Sequence, residues 1–227
     1  MKSNPLAILT FVLMLAALYA IFIYAPTEQT MGPIGEVQRI FYFHVASNWT
    51  TFLATFFVFG YSILFLMKGT RELDIQAAAA AELGTLFGAC GLISGTIWAK
   101  PIWGIWWTWD ARLTLTFVLG LLYLSYLLLR SMIEEPDKRA LFSALFGIFA
   151  FLDVPLVYFS IRWWRTQHPQ PVILGGPGSG LEPRMRVSYL LMWGALTGLL
   201  ILLLSARYRL EALRASVEDL RREAEVR

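Results

Sequence analysis

Residues 98–112 read WAKPIWGIWWTWDAR, and they join two long apolar stretches of the chain, at 77–99 and 113–130. Five of the nine tryptophans fall within these fifteen residues. One or two tryptophans at the end of a membrane span would be an ordinary interfacial anchor. Five together form a surface wide enough for a flat, mostly apolar ligand with a polar edge.

The composition is that of an integral membrane protein, with 57% hydrophobic and only 15% charged residues. Six apolar stretches reach the length of about 20 residues that a bilayer crossing requires. Because backbone polar groups in hydrocarbon must hydrogen-bond internally, the sequence predicts an all-α integral membrane protein with six transmembrane helices and an external, Trp-rich interfacial segment. The predicted spans are 5–25, 48–67, 77–99, 113–130, 140–161 and 187–206.

We expect two parts of the chain, a membrane domain at 1–206 and a charged cytoplasmic tail at 207–227. Charge signs alternate along the tail and its apolar residues have helical spacing, so the tail is predicted to prolong the sixth helix. With the N-terminus inside, twelve lysines and arginines lie on the inner side and seven on the outer side, which favours two cytoplasmic termini. Four arginines of the outer loop 162–186 depart from this rule, and either lipid headgroups or a ligand could explain them.

The only two histidines are His44, just before the second predicted span, and His168, just after the fifth. Both are expected at the outer surface, where the tryptophan run also lies. Two imidazoles from different loops can bind haem iron from opposite sides, and tryptophans can cover the porphyrin. The propionates would need cations, and the outer side offers Arg39, Arg112, Arg162, Arg165, Arg184 and Arg186.

The residues also allow a simpler interpretation. An isolated histidine at the interface can be a tolerated polar residue. Trp103, Trp106 and Trp107 have i, i+3, i+4 spacing, so a short amphipathic helix in the interface would explain them. Spacing alone leaves both interpretations open.

The stretch WGIWWTWDARLT at 103–114 resembles the WWD signature of the haem-handling proteins of cytochrome c biogenesis, the superfamily of CcmC, CcmF and the CcsA-type synthases. Six spans, a short chain and one histidine in each of two outer loops are similar to the CcmC branch. The resemblance implies a System I haem-transport protein rather than an enzyme. Such a protein binds haem b without a covalent bond at the outer face of the bacterial inner membrane.

The same resemblance implies partners and site residues. The partners would be the haem chaperone CcmE, the small membrane protein CcmD and the ABC pair CcmA and CcmB. Of the arginines that residue chemistry offers for the propionates, Arg39 and Arg112 are our candidate haem contacts, and Asp110 is also expected to cap the fourth helix. The axial iron ligands would be His44 and His168, beside a platform of Trp103, Trp106, Trp107 and Trp109 with Asp110.

Four other hypotheses remain at this point: a bis-histidine electron-transfer subunit, a haem lyase, a haem permease and a structural scaffold. Cys90 is the only cysteine and no Cys-x-x-Cys-His is present, so no covalent c-type haem is expected on this chain. Asp153 is an ionisable residue within a predicted span, and with Pro155 it predicts a kink and a local hydrogen bond to its carboxyl group. The glycine-rich run 175–180 is interpreted as a turn.

Overall fold

The computed structural model describes residues 4–28, 32–173 and 180–226. The glycine-rich run at 175–180 therefore lies outside the described residues except for Gly180. Within these ranges the chain forms seven α-helices and no strand. The helices are α1 (Pro5–Tyr19), α2 (Ile40–Lys68), α3 (Arg71–Trp103), α4 (Ala111–Met132), α5 (Pro136–Phe151), α6 (Asp153–Trp163) and α7 (Pro183–Val226).

Six helical segments of the described chain are long and apolar enough to cross a membrane, which confirms the predicted six-span, all-α class. The fifth segment consists of α5 and α6 together. A π-helical turn (Ala20–Tyr24) extends α1, and a 3-10 helix (Gly32–Arg39) leads into α2. We call the end of the bundle with residues 98–112 the tryptophan end, and the opposite end, from which α7 projects, the tail end.

The second helix begins at Ile40, eight residues before the predicted start at 48. The prediction of an outer loop over 26–47 is therefore wrong, and His44 lies inside α2 rather than before it. Residues 40–47 contain no glycine or proline, and Ala46 and Ser47 are fully buried by tertiary packing. That packing continues the helix beyond the uniformly apolar stretch on which the prediction rested.

The predicted fifth span, 140–161, is interrupted at Leu152, between α5 and α6. Pro155 has no N–H to donate to the carbonyl of Phe151, so the helix breaks just before it. The helix is therefore interrupted as predicted, at Leu152, just before Asp153 and Pro155. The predicted hydrogen bond is not found at Oδ2 of Asp153, which has no partner among the described residues although the side chain is buried.

A ladder of four glycines brings α3 close to α2. The glycines recur at intervals of four, three and four residues, so they share one face of α3, and small residues at such spacing let two membrane helices approach closely. The opposing residues of α2 recur at the same intervals in the reverse direction. The facing pairs are Gly84 with Thr55, Gly88 with Thr51, Gly91 with Asn48 and Gly95 with His44.

The last helix continues without interruption from Pro183 to Val226, which confirms that the tail prolongs the sixth span. Two ion pairs join helices near the tail end. Arg130 of α4 pairs with Asp74 of α3, and Arg207 of α7 pairs with Glu82 of α3. The outermost helix, α1, packs mainly on α7.

Candidate functional site

A cavity of about 270 Å³ lies at the tryptophan end, between α2, α3, α4 and α6. The loop between α6 and α7 contributes residues 168–173 and Leu181 to its wall. Both histidines line the cavity, so the structure brings together two side chains that are 124 positions apart in the sequence. The aromatic side chains of the wall are Phe41, Trp49, Phe52, Trp98, Trp103, Trp106, Trp107 and Tyr158.

His44 is held in one orientation by α3. Its Nδ1 donates a hydrogen bond to the carbonyl oxygen of Gly91, at 2.9 Å, and the hydroxyl of Ser94 lies 3.3 Å from the same nitrogen. A Cβ atom on Gly95 would lie 2.8 Å from Cε1 of the imidazole, so only glycine leaves room for the ring in this position. With Nδ1 donating, Nε2 carries the lone pair that a metal ion requires. The side-chain amide nitrogen of Asn48 lies 3.5 Å from Nε2 and donates to the carbonyl oxygen of His44, at 2.8 Å.

His168 lies in the loop after α6 and depends on its sequence neighbours. Its Nδ1 donates to the carbonyl oxygen of Pro169, at 3.0 Å, and its backbone N–H donates to Oγ1 of Thr166, at 3.0 Å. Burial lowers the pKa of His168 to about 4, and the positive charge of Arg112 lowers it further. The imidazole is therefore neutral near pH 7, with Nε2 available to bind a metal ion.

The two imidazole rings are neighbours at the wall of the cavity. Their centroids are 6.5 Å apart and their planes make an angle of 38°. Metal–imidazole bonds are about 2 Å long, so two rings that bind one ion from opposite sides have centroids roughly 6 Å apart. The observed separation of the centroids is close to this value. The described residues contain no group of three or more His, Cys, Asp or Glu side chains that could hold a metal ion.

The tryptophan run is not a helix beyond its first residues. Helix α3 ends at Trp103, and Gly104 follows in the left-handed conformation with φ of 76°. The alternative of a short amphipathic helix over 103–107 is therefore wrong. Trp103, Trp106 and Trp107 line the cavity, whereas Trp109 is 74% exposed and packs edge-on against Trp107 and Phe117 instead.

Two indole N–H groups and a guanidinium group supply polar contacts for a ligand. Nε1 of Trp98 and Nε1 of Trp107 are buried without partners among the described residues. Arg112 donates from Nη1 to the carbonyl oxygens of Val157, at 2.6 Å, and Tyr158, at 3.4 Å. Backbone carbonyls do not neutralise its charge, so the cavity wall carries a cation suited to a carboxylate.

Asp110 does not face the cavity. Its Oδ1 accepts hydrogen bonds from the backbone N–H groups of Arg112 and Leu113, and Oδ2 accepts one from Thr108. This confirms the predicted cap at the start of α4. The side chain of Arg112 bonds elsewhere, to the carbonyl oxygens of Val157 and Tyr158.

Arg39 also lies away from the cavity. It pairs with Glu36 and donates to the carbonyl oxygens of Ile21 and Ala25, where the π-helical turn ends α1. These contacts join the first span to the start of α2. The structure thus gives Arg39 a role in packing and does not bring it to the other candidate haem residues.

The sequence prediction missed several residues of this site. Trp98 was seen as part of the run but was not assigned to the site, and Asn48, Gly91, Gly95 and Tyr158 were not considered. The glycines gave a readable signal, since their regular spacing on an apolar helix predicts close approach of another helix. Asn48 and Tyr158 gave no such sequence signal, because their place in the cavity wall depends on which helices become neighbours.

Fold and site together define a multi-pass membrane protein with a cavity walled by indoles and by two neighbouring imidazoles. The chain belongs to the CcmC family, whose model, described as Heme exporter protein C, matches residues 2–223. It is 33% identical to Heme exporter protein C of Haemophilus influenzae over 227 residues, which cover 97% of this chain and 88% of that protein. It is 32% identical to Heme exporter protein C of Bradyrhizobium diazoefficiens over 219 residues, which cover 95% of this chain and 80% of that protein.

Proposed function

We propose that this chain binds haem b without a covalent bond in the cavity at the tryptophan end and delivers it to a CcmE-like haem chaperone for cytochrome c maturation. The single observation that carries the proposal is the pair of imidazoles at the wall of one cavity, with ring centroids 6.5 Å apart and each Nδ1 bonded to a carbonyl oxygen. The names of the two relatives, both Heme exporter protein C, support the same cargo.

Different residues hold different parts of the haem. His44 and His168 offer Nε2 to the iron, and Trp103, Trp106 and Trp107 cover the apolar ring. Arg112 and the free N–H groups of the indoles attract the propionates. The iron of the haem would take the two imidazoles as its axial ligands. Because the haem then leaves with the chaperone, the chain acts as a carrier and not as an enzyme.

Location and partners follow from the same proposal. The chain spans the bacterial inner membrane, with the tryptophan end facing the periplasm and both termini in the cytoplasm. The membrane domain at 1–206 carries the haem site, and the tail at 207–227 is cytoplasmic. A CcmD-like membrane protein and a CcmA/CcmB-like ABC complex act with the chain, since its sequence has no nucleotide-binding motif of its own.

The test is a handover experiment with the purified chain in nanodiscs. We expect a six-coordinate visible spectrum after haem is added, and transfer of haem to the soluble domain of the chaperone when the two proteins are mixed. The His44→Ala and His168→Ala variants should each alter or lose this spectrum. Haem that stays on the chain despite an excess of chaperone would contradict the delivery step.

One observation favours a second candidate, a bis-histidine electron-transfer cytochrome. Such proteins hold their ligands within helices, and His44 lies inside α2. The handover experiment separates the two candidates, because an electron-transfer subunit would retain haem and exchange electrons with a quinol. The position of His168 in a loop favours the carrier.

A further inference from the structure

The tail carries a row of exposed apolar side chains. Leu210 is 44% exposed, Leu213 65%, Val217 50% and Leu220 65%. Their intervals of three, four and three residues place them on one face of α7, at the spacing of the a and d positions of a coiled coil. Contiguous apolar surface of this kind marks a site of interaction when it lies outside a membrane. We call these four residues the tail stripe.

The tail stripe lies beyond the membrane span. Between Arg186 and Arg207, α7 has 20 residues without a charge, and as a helix they are about 30 Å long, which matches the hydrocarbon core of a bilayer. Two arginines and a tyrosine follow at 207–209, residue types that are typical of the bilayer surface. Since α7 contains no glycine or proline after Gly198 and continues to Val226, it carries the stripe away from the bilayer.

Ion pairs hold the base of the tail against the bundle. Nη2 of Arg207 donates to Oε1 of Glu82 on α3, at 2.8 Å, and Nη1 lies 2.6 Å from Oε1 of Glu211. Nη1 of Arg214 lies 2.8 Å from the same Glu211 oxygen. These residues of α7 recur at intervals of four and three, about a quarter turn from the tail stripe. The face that the tail turns toward α3 is therefore not the face of the stripe.

Arginines border the tail stripe on both sides. In a coiled coil, the positions that flank the a and d residues are called e and g, and charges there form ion pairs that set the choice of partner. Four of the five e and g residues between 207 and 221 are cations. These five residues are Arg207, Arg209, Arg214, Ser216 and Arg221. The border therefore favours a partner helix whose own flanking residues are acidic.

The same border disfavours a second copy of this chain as the partner. Copies in one membrane have the same orientation, so their tails could pair only in parallel. In a parallel pair each g residue faces the next e residue of the other helix, which would place Arg209 of one copy beside Arg214 of the other. Like charges in such positions oppose pairing.

We propose that the tail stripe is a docking surface for an acidic amphipathic helix of another protein outside the membrane. Apolar side chains of that helix pack against the stripe over about 15 Å. Its acidic residues pair with Arg209 on one side of the stripe and with Arg221 on the other. The surface lies at the opposite end of the bundle from the haem cavity, so this proposal does not depend on the proposed function.

A binding measurement with two designed peptides tests the docking surface. Both are fluorescein-labelled helices with leucine at a and d, and they differ only at e and g, where one has glutamate and the other lysine. The full chain in nanodiscs of zwitterionic lipid is titrated into each, and fluorescence anisotropy gives the dissociation constants. We expect the glutamate peptide to bind about tenfold more tightly than the lysine peptide.

Variants of the tail locate the binding. The double variant Leu213→Gln, Leu220→Gln should weaken binding of the glutamate peptide about tenfold or more, because it removes half of the stripe. Ala212→Gln, on another face of the same helical turn, is the matched control and should leave binding unchanged. The double variant Arg209→Glu, Arg221→Glu should reverse the preference, so that the lysine peptide binds more tightly.

Several outcomes would overturn the proposal. Absence of binding, equal binding of the two peptides, or an equal loss in the Ala212→Gln control would show that the stripe and its arginines do not select an acidic helix. A dimer in light scattering that is lost in the Leu213→Gln, Leu220→Gln variant would make a second copy the occupant. Quenching by brominated lipid of a bimane label on Leu213→Cys, in a Cys90→Ala background, would place the stripe on the bilayer instead.

Discussion

The two walls of the large cavity hold their histidines by different means. His44 belongs to a helix, and its Nδ1 bonds to Gly91, 47 residues away on α3. His168 belongs to a loop, and within the described residues its hydrogen bonds reach Thr166 and Pro169, at most two positions away. The position of His44 is therefore fixed by the packing of two transmembrane helices, and that of His168 by local contacts.

This difference suits a carrier that must release its cargo. Loops open at a lower free energy than packed core helices, so under the proposed function a bond from His168 to the iron would be the one that can be given up without disturbing the bundle. Under the proposed function, His44 keeps haem in the cavity while His168 yields its axial position to the chaperone. The comparison of the two walls can be tested by changing them separately.

Replacing each histidine should have the largest effect. We expect His44→Ala to lose nearly all bound haem. His168→Ala should keep a weaker, five-coordinate complex, because His44 on α2 still supplies a ligand. Added imidazole should restore the six-coordinate spectrum of His168→Ala and not that of His44→Ala, since only the first variant is expected to retain haem. Visible spectra and the ratio of haem to protein measure both effects, and rescue of the two variants alike would mean that the walls do not differ.

The glycine ladder should be the next most sensitive element. In Gly95→Ala the new methyl group would lie 2.8 Å from the imidazole of His44, and overpacking of this kind costs about 1–3 kcal/mol. Haem affinity should then fall by roughly ten- to a hundredfold.

Gly88→Ala is the matched control for this variant. It lies on the same face of α3, and its methyl group would meet Thr51 at an ordinary distance of 3.5 Å. Haem titration of both variants measures the difference. Equal affinities would show that Gly95 does not position His44.

Sequence patterns predicted the six spans and the cap at Asp110, because these depend on local composition and spacing. They also placed the two histidines at the same end of the bundle, where both line one cavity. They missed the early start of α2 and the contact of His44 with Gly91 and Gly95. Those features arise only when α2 packs on α3, and no single segment carries that information. Arg39 shows the same limit, since its position near the outer loops made it a haem candidate while its contacts with Ile21 and Ala25 join α1 to α2.

Arg112 and Arg39 provide a comparison of two cations at the same end of the bundle. Haem dimethyl ester lacks the charged propionates, so the ratio of the two affinities measures recognition of these carboxylates. Arg112→Gln should lower this ratio about tenfold, because a charge-assisted hydrogen bond contributes about 1.5–3 kcal/mol. Arg39→Gln should lower the free energy of unfolding and leave that ratio unchanged. Parallel titrations with the two porphyrins distinguish these outcomes, and an equal fall of the ratio in both variants would place Arg39 among the ligand contacts.

The smallest expected effect concerns two tryptophans of one loop. Trp107 lines the cavity, whereas Trp109 is 74% exposed and touches Trp107 from outside. Stacking by an aromatic side chain contributes about 0.5–1.5 kcal/mol, so Trp107→Phe should weaken haem binding by only about threefold. Trp109→Phe should change it by less than that, since its ring does not reach the ligand. Haem titration could instead show a larger loss of affinity in Trp109→Phe than in Trp107→Phe. The tryptophan platform would then extend from the cavity onto the exposed surface. The loops at this end would hold haem through indole stacking as well as through His168.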